Sequence, residues 1–396
     1  MSNNTKMSLS EIRASLFLAS VYGLRMLGMF LILPIFAIYA SGLPGSPSQL
    51  QIGIALGIYG LTQAVFQIPF GMSSDFFGRK KVIYFGLALF VLGSIIAATS
   101  THIESIIIGR AIQGAGAISA VLTALLSDLT RDEHRTKAMA IVGASIGLTF
   151  ALSLVISPWL NSKIGVPGIF FMMAILSILA AIIIHFFIHE TKRVNKKTAL
   201  NLKDFYAVLG RFDLGRLNLG IFVLHVAQIS MFMVVPFYLI QQGNLPLYDH
   251  WMIYLPVLLG SFILIIPIII FSEKLKKTKL TFLLSILILF AAQCSFIYFS
   301  NDLVGIIISL LIYFVGFNFL EASLPSLVSR IAPANQKGLA LGVYNTSQSL
   351  GIFVGGFVGG LITTFYGYSG TFLFCGALIF IWFIFSLNMN IPINKS

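Results

Sequence analysis

The sequence predicts an all-α membrane protein of twelve transmembrane helices, built as two pseudo-symmetric six-helix bundles. Three observations carry that expectation. Of the 396 residues, 58% are hydrophobic and only 10% charged, where a soluble domain carries about a quarter of its residues as charge. The apolar residues fall in long uninterrupted runs, not in the alternating segments of about ten residues that a membrane barrel would need. The basic residues, finally, collect at every second break between those runs.

Segmentation at charged and Pro/Gly/Ser-rich breaks places the runs near 14–40, 50–71, 81–100, 103–127, 137–160, 166–188, 216–241, 249–271, 279–300, 302–328, 338–363 and 368–389. Each is close to or above the roughly 20 residues a helix needs to cross hydrocarbon. The first is too long for a signal-peptide core and has no obvious small-residue cleavage site, so it reads as a retained span. The N-terminal bundle is expected at 1–188, a cytoplasmic linker at 189–215 and the C-terminal bundle at 216–396. The linker mixes charge with Leu202, Phe205, Tyr206 and Leu209. A short helix lying on the membrane surface and a plain connector both fit that pattern.

The net charge is +12, from 25 Lys and Arg against 13 Asp and Glu. Such an excess would suggest nucleic acid if it formed a basic patch on a soluble fold. Placed residue by residue, 22 of the 25 basic residues lie on the side of the N-terminus, Lys163 alone lies opposite, and Arg25 and Arg110 fall inside runs. Basic residues concentrate on the cytoplasmic side of a membrane protein. The charge therefore reads as topology, with both termini cytoplasmic, the lipid bilayer as environment and no nucleic-acid partner. A monomer is expected. Cys294 and Cys375 both lie in apolar runs without metal-type spacing; they read as buried structural thiols, and neither metal nor cofactor is expected.

An internal repeat supports the two bundles. A shift of 198 residues sets Pro69 on Pro267, Asp75 on Glu273, Arg79 on Lys277 and Lys81 on Lys279, while a shift of 202 sets Arg135 on Lys337 and Ala138 on Ala340. Matches at corresponding loops of two halves are the mark of a duplicated six-helix unit.

The most specific local pattern is Gly71-Met72-Ser73-Ser74-Asp75-Phe76-Phe77-Gly78-Arg79-Lys80-Lys81, between the second and third runs. Gly71 permits close helix approach or a tight turn, Asp75 offers an anion to a helix N-terminus, and Arg79 supplies a planar donor for a carboxylate. The pattern resembles the loop signature of the major facilitator superfamily. Further stretches extend the resemblance. Gly109-Arg110-Ala111-Ile112-Gln113-Gly114 is similar to the family's fourth-helix Arg motif, and Leu24-Arg25-Met26-Leu27-Gly28-Met29 with Pro34 resembles the first helix of its drug:proton antiporter branch. The segments Asn318 to Arg330 and Gly342 to Gln348 resemble the YajR-like subgroup.

The resemblance implies an inner-membrane efflux transporter with two bundles around a central cavity, moving a small organic molecule in exchange for protons. In that subgroup an aspartate matching Asp128 joins the loop motif in a charge cluster. Gly71, Asp75, Gly78, Arg79 and Asp128 are accordingly expected to lock the cytoplasmic side in the outward-open state. The neighbouring Arg131, Arg135 and Lys137 read as topogenic. Members of the subgroup can carry a soluble C-terminal domain, and none is expected here, since the chain ends seven residues beyond its last run. One stretch departs from the antiporter branch: in the fifth run Gly143 and Gly147 are followed only later by Ser157-Pro158-Trp159. That departure favours the alternative of uptake or facilitated diffusion of a metabolite.

Ionisable residues inside hydrocarbon are costly unless paired or hydrated, which makes each a functional candidate. They are Arg25 in the middle of the first run, Arg110 in the outer part of the fourth, His225 in the seventh and Glu321 in the inner part of the tenth. A buried carboxylate can carry a proton because protonation removes its burial cost, so Glu321 is the candidate carrier, with a permanent ion pair as the alternative. The resemblance gives Arg110 a part in proton handling or cavity shape. Gln113, Asn318, Asn345 and Gln348 complete the candidate path, and Gln63, Gln67 and Gln228 are further amides that need partners in the bilayer. Gly351, Gly355 and Gly359, at four-residue spacing, form a stripe for close, rigid helix packing, with a surface that slides during transport as the alternative. An enzyme is not expected: no nucleophile, metal or acid/base constellation occurs at usable spacing, and no phosphate-binding glycine loop is present.

Overall fold

The computed structural model describes residues 7–188, 207–274, 277–333 and 336–389. Most of the linker, including Leu202, Phe205 and Tyr206, lies outside the described residues. The helices are α1 (Leu9–Leu31), α2 (Leu33–Ser41), α3 (Gln49–Phe77), α4 (Arg79–Thr99), α5 (Ile103–Ala115), α6 (Ser119–Asp128) and α7 (Arg135–Phe187). They continue as α8 (Phe212–Gly243), α9 (Trp251–Lys274), α10 (Thr278–Tyr298), α11 (Leu303–Ile331) and α12 (Lys337–Ser386). Among the described residues there is no β-strand, and ten helical stretches are long and apolar enough to cross a membrane.

Two of those stretches, Lys137–Phe187 and Lys337–Ser386, have 51 and 50 residues, about 75 Å at the helical rise. Hydrocarbon is only about 30 Å thick. Each contains one glycine outside the helical region, Gly165 at φ 66° and Gly367 at φ 68°, where a side chain is strained. These breaks fall in the gaps expected between the fifth and sixth and between the eleventh and twelfth runs. They lie 202 residues apart, the offset that relates Arg135 to Lys337 at the starts of the same two helices.

The chain divides into two compact units, one of Met1–Phe36 with Leu61–Lys197 and the other of Ala37–Gly60 with Thr198–Ser396. In the first, α1 packs along α7, and α4 packs on α5 and α7. In the second, α8 packs along α12, and α10 packs on α11 and α12. The same pairs recur in the same chain order, which is the internal repeat expressed as packing.

Lipid offers no hydrophobic gain for helix association, so close approach and interhelical hydrogen bonds must supply it. Along α1, carbonyls of Ala19 and Leu27 accept from Ser145 and Ser153 of α7 at 2.9 and 3.5 Å, and that of Leu31 accepts from Ser157. In the second unit Gly351, Gly355 and Gly359 lie against Phe222, Val226 and Ser230 of α8. A Cβ at any of them would collide with α8, and Ser230 Oγ donates to the Gly355 carbonyl at 3.0 Å. Gly356 and Gly360, one residue further round the helix, instead face Gly53, Gly57, Gln49 and Leu50 at the start of α3. One helix thus presents two glycine edges to two neighbours. Cys375 is buried as expected, whereas Cys294 is exposed on α10, because its position in the run faces away from the neighbouring helices.

Glycine in a helix interior costs about 0.5–1 kcal/mol relative to alanine, so the two glycine environments give opposite expectations. Nothing lies within 4 Å of a Cβ built at Gly147, while one at Gly355 would meet the Val226 carbonyl at 2.7 Å. Gly147→Ala should raise the thermal unfolding temperature in detergent and Gly355→Ala should lower it. Equal shifts would contradict the close-packing role.

Candidate functional site

The loop motif owes its geometry to Gly78 more than to Gly71. Gly78, at φ 98°, is the single residue between α3 and α4, a conformation that favours glycine. Gly71 lies within α3, and a Cβ there would meet only Ala120, at an ordinary 3.7 Å. The sharp turn puts Arg79 at the first position of α4, one helical turn from Asp75. Arg79 Nη1 is 2.7 Å from Asp75 Oδ1, and Arg79 Nε donates to Asp128 Oδ2 at 3.0 Å. Arg79 also donates to Ser74 Oγ, whose hydroxyl donates to the Gly71 carbonyl. The arginine therefore joins the end of α3, the start of α4 and the end of α6. Asp75 is 51% and Asp128 36% exposed, and ion pairs at such exposure contribute about 0–1 kcal/mol. Bonds of that strength fix position more than stability, and they can be broken and remade.

Arg25 is buried, and its partners explain a feature of the fourth run that the sequence does not announce. That run is two helices, α5 and α6, separated at Gly116–Ile118, a break that frees carbonyl groups. Arg25 Nη2 donates to the Gly116 carbonyl at 3.3 Å and Nη1 to Ser119 Oγ at 2.7 Å. Tyr22, one turn earlier on α1, bonds the Ser119 carbonyl and the Thr123 hydroxyl. The guanidinium also stands 5.9 Å from the centre of the Phe90 ring. Arg110 belongs to a separate chain of polar groups: its Nη1 donates to Gln113 Oε1 at 3.0 Å, and Gln113 Nε2 donates to Ser94 Oγ at 2.8 Å. Gly109 lets α5 approach the Gly93 carbonyl of α4, which brings Gln113 and Ser94 within reach.

The remaining candidates lie in the second unit. His225 Nδ1 is 3.1 Å from the Ile221 carbonyl, and its Nε2 is 2.8 Å from Gln348 Nε2, so this pair ties α8 to α12. As the amide is oriented, Gln348 donates and His225 Nε2 accepts, which leaves the proton of the neutral ring on Nδ1. Asn318 Nδ2 donates to Ser261 Oγ at 3.0 Å, tying α11 to α9. Asn345 is half-buried beside Tyr344. Glu321 has one buried carboxylate oxygen that no hydrogen-bond donor reaches. The hydroxyls of Tyr313 and Tyr344 are likewise buried without partners. Tyr313 stacks on Phe317 with centroids 5.7 Å apart, on the stretch of α11 that leads to Glu321.

Sequence reasoning passed over Tyr313, Tyr344 and Glu11. Tyr344 carries a signal, since it precedes Gln348 by four residues and so shares its helix face. Glu11 carries another, three residues after Ser8 in the pattern of a capping box. Arg131, read as topogenic, is the partner of Glu11. Among the described residues no cluster of His, Cys, Asp and Glu could hold a metal ion.

Comparison with known proteins follows the same lines. The family model described as Major Facilitator Superfamily matches residues 18–356 and 250–392. The chain is 42% identical to the inner membrane transport protein YajR of Escherichia coli (strain K12), over 99% of this chain and 89% of that protein. It is 25% identical to the quinolone resistance protein NorA of Staphylococcus aureus (strain COL), over 85% of this chain and 86% of that one. In fold it is similar to a crystal structure of a D-xylose-proton symporter, with a TM-score of 0.74, 16% identity, and 98% of this chain and 99% of that chain covered. The helical units, their duplicated packing and these matches together make the chain a membrane-spanning transporter belonging to the major facilitator superfamily.

Proposed function

We propose that this transporter exports a small organic compound in exchange for protons. Twelve spans in two six-helix bundles alternate access to a central site, in the cytoplasmic membrane of a bacterium, with both termini cytoplasmic. The two long helices broken at Gly165 and Gly367 support the count of twelve, and the one-sided distribution of basic residues supports the orientation. The protein acts as a monomer, without cofactor, metal or nucleic acid, and performs no covalent chemistry.

The observation that carries this reading is Glu321. A carboxylate oxygen of Glu321 and the hydroxyls of Tyr254, Tyr313 and Tyr344 are buried in one helical unit without hydrogen-bond partners. Leaving such groups unsatisfied costs about 1–3 kcal/mol each, more when charged. A transporter can tolerate that cost where the missing partner is a group that comes and goes. A proton on Glu321 removes the charge, and a polar substrate group supplies the missing bond. His225, Gln348, Asn318 and Asn345 of the second unit, and Arg25, Arg110 and Gln113 of the first, are the further candidates for handling substrate or protons. Gly71, Asp75, Gly78, Arg79 and Asp128 form the cytoplasmic lock. Its exposed ion pairs are weak enough to open in each cycle.

Uptake or facilitated diffusion of a metabolite is the second reading. It is favoured by α7, where Gly143 and Gly147 stand clear of any neighbour and the glycine-rich pattern of the antiporter branch is missing.

Proteoliposomes loaded with a panel of drugs and metabolites and given an imposed pH gradient separate these readings. Export requires substrate flux driven by the gradient, whereas flux indifferent to it supports facilitated diffusion. Glu321→Gln should abolish gradient-driven flux while leaving the unfolding temperature equal or higher, since it removes a charge that has one oxygen buried without a partner. A lowered unfolding temperature with intact coupling would reassign Glu321 to structure. Asp75→Asn should abolish transport by protein that still inserts and folds, and wild-type flux from that variant would refute the lock.

A further inference from the structure

Glu11 occupies an unusual place for an acid. It stands in the first turn of α1, yet it is only 5% exposed, and a buried charge must be paired to be tolerated. Its pairing is complete. Oε1 accepts from the Arg131 backbone N–H at 2.9 Å and from Arg131 Nε at 3.0 Å, while Oε2 accepts from Arg131 Nη2 at 3.0 Å and from the Ser8 N–H at 2.8 Å. Four donors satisfy the roughly four acceptor sites of a carboxylate. A helix cap needs only the Ser8 bond, so the other three serve Arg131.

Arg131 follows the end of α6 through a firm turn. Leu129 N–H bonds the Leu125 carbonyl at 3.1 Å, and Thr130 Oγ1 donates to the Leu126 carbonyl at 2.7 Å. The Arg131 carbonyl in turn accepts from His134 and Arg135 at the start of α7. Asp128, three residues before Arg131, is the residue that Arg79 holds. An open surface hollow borders Glu11, Asp128 and Arg131 at this turn. The first end of α6 is held to α1 as well, through Ser119 with Tyr22 and Arg25. α1 and α6 are thus joined at both ends of α6, about 15 Å apart at the helical rise.

We propose that Glu11 and Arg131 are positioning residues that couple the Asp75–Arg79–Asp128 cluster to α1, so that α6 and α1 move as one body when Arg79 lets go of Asp128. Arg25, bonded to the first end of α6, then changes place with the state of the cluster. The proposal rests on the reading of that cluster as a lock.

Hydrogen–deuterium exchange on the full-length protein in lipid nanodiscs tests it through the amides of 126–134 and of 74–82. Glu11→Gln should raise exchange about tenfold at both segments, the scale of losing hydrogen bonds to a charged group. Asp75→Asn should do the same at 74–82. Arg131→Lys keeps the charge but loses the planar fork, and it should act in the same direction with smaller size, which covers the case in which Glu11→Gln fails to fold. Faster exchange in Glu11→Gln or Arg131→Lys confined to 126–134, with Asp75→Asn still loosening 74–82, would overturn the coupling and leave the lock standing. No change at 74–82 in Asp75→Asn would remove the lock and the coupling with it.

Discussion

One constraint shapes most of this structure: hydrocarbon cannot hydrogen-bond a polar group, so the chain must satisfy its own. Helices do so for the backbone. Where a helix is interrupted, a side chain takes over, as Arg25 and Tyr22 do at the break between α5 and α6. Where helices meet, serine hydroxyls return to neighbouring carbonyls and glycines bring the backbones close enough for that bond. Buried polar groups that escape the rule carry information for the same reason. Glu321 is the one carboxylate among the described residues with a buried oxygen that lacks a partner, and Tyr313 and Tyr344 of the same unit have buried hydroxyls without one.

The two sets of candidate residues differ in physical character. Arg79 with Asp75 and Asp128 is a partly exposed cluster of weak bonds at the ends of three helices, suited to holding one arrangement and releasing it. Glu321 with its tyrosines is an interior group with unmet bonding capacity, suited to receiving a proton or a ligand. The first set can be broken and remade at low cost, and the second can gain a bond that the chain itself does not supply. The two glycine edges of α12 belong to the same picture: one edge secures α8, the other lies against the first turns of α3, a helix whose remainder belongs to the other compact unit.

Much of this was legible in the residues. The length and spacing of apolar runs located the helices, and the offset near 200 residues anticipated the repeated packing and the matched breaks at Gly165 and Gly367. The Gly-Arg step at 78–79 pointed to the cluster, whose aspartate partner at 128 was inferred by resemblance. What was not legible depends on contacts between positions far apart in the chain. The break in the fourth run at Gly116 has no proline to mark it, and its stabilising partner lies about 90 residues earlier on α1. Arg131 looked topogenic because its charge suits a cytoplasmic loop; only the fold brings it to Glu11. Cys294 and Cys375 sit in similar runs, and which one is buried depends on helix rotation, which an apolar run does not encode.

The central claim is that Glu321 takes up and releases a proton inside the membrane. Infrared difference spectroscopy on lipid-reconstituted protein, comparing acidic with alkaline pH, reads that directly through the C=O stretch of a protonated carboxyl. The account predicts such a band, appearing on acidification and absent in Glu321→Gln. A spectrum in which that substitution removes no titrating carboxyl band would contradict it.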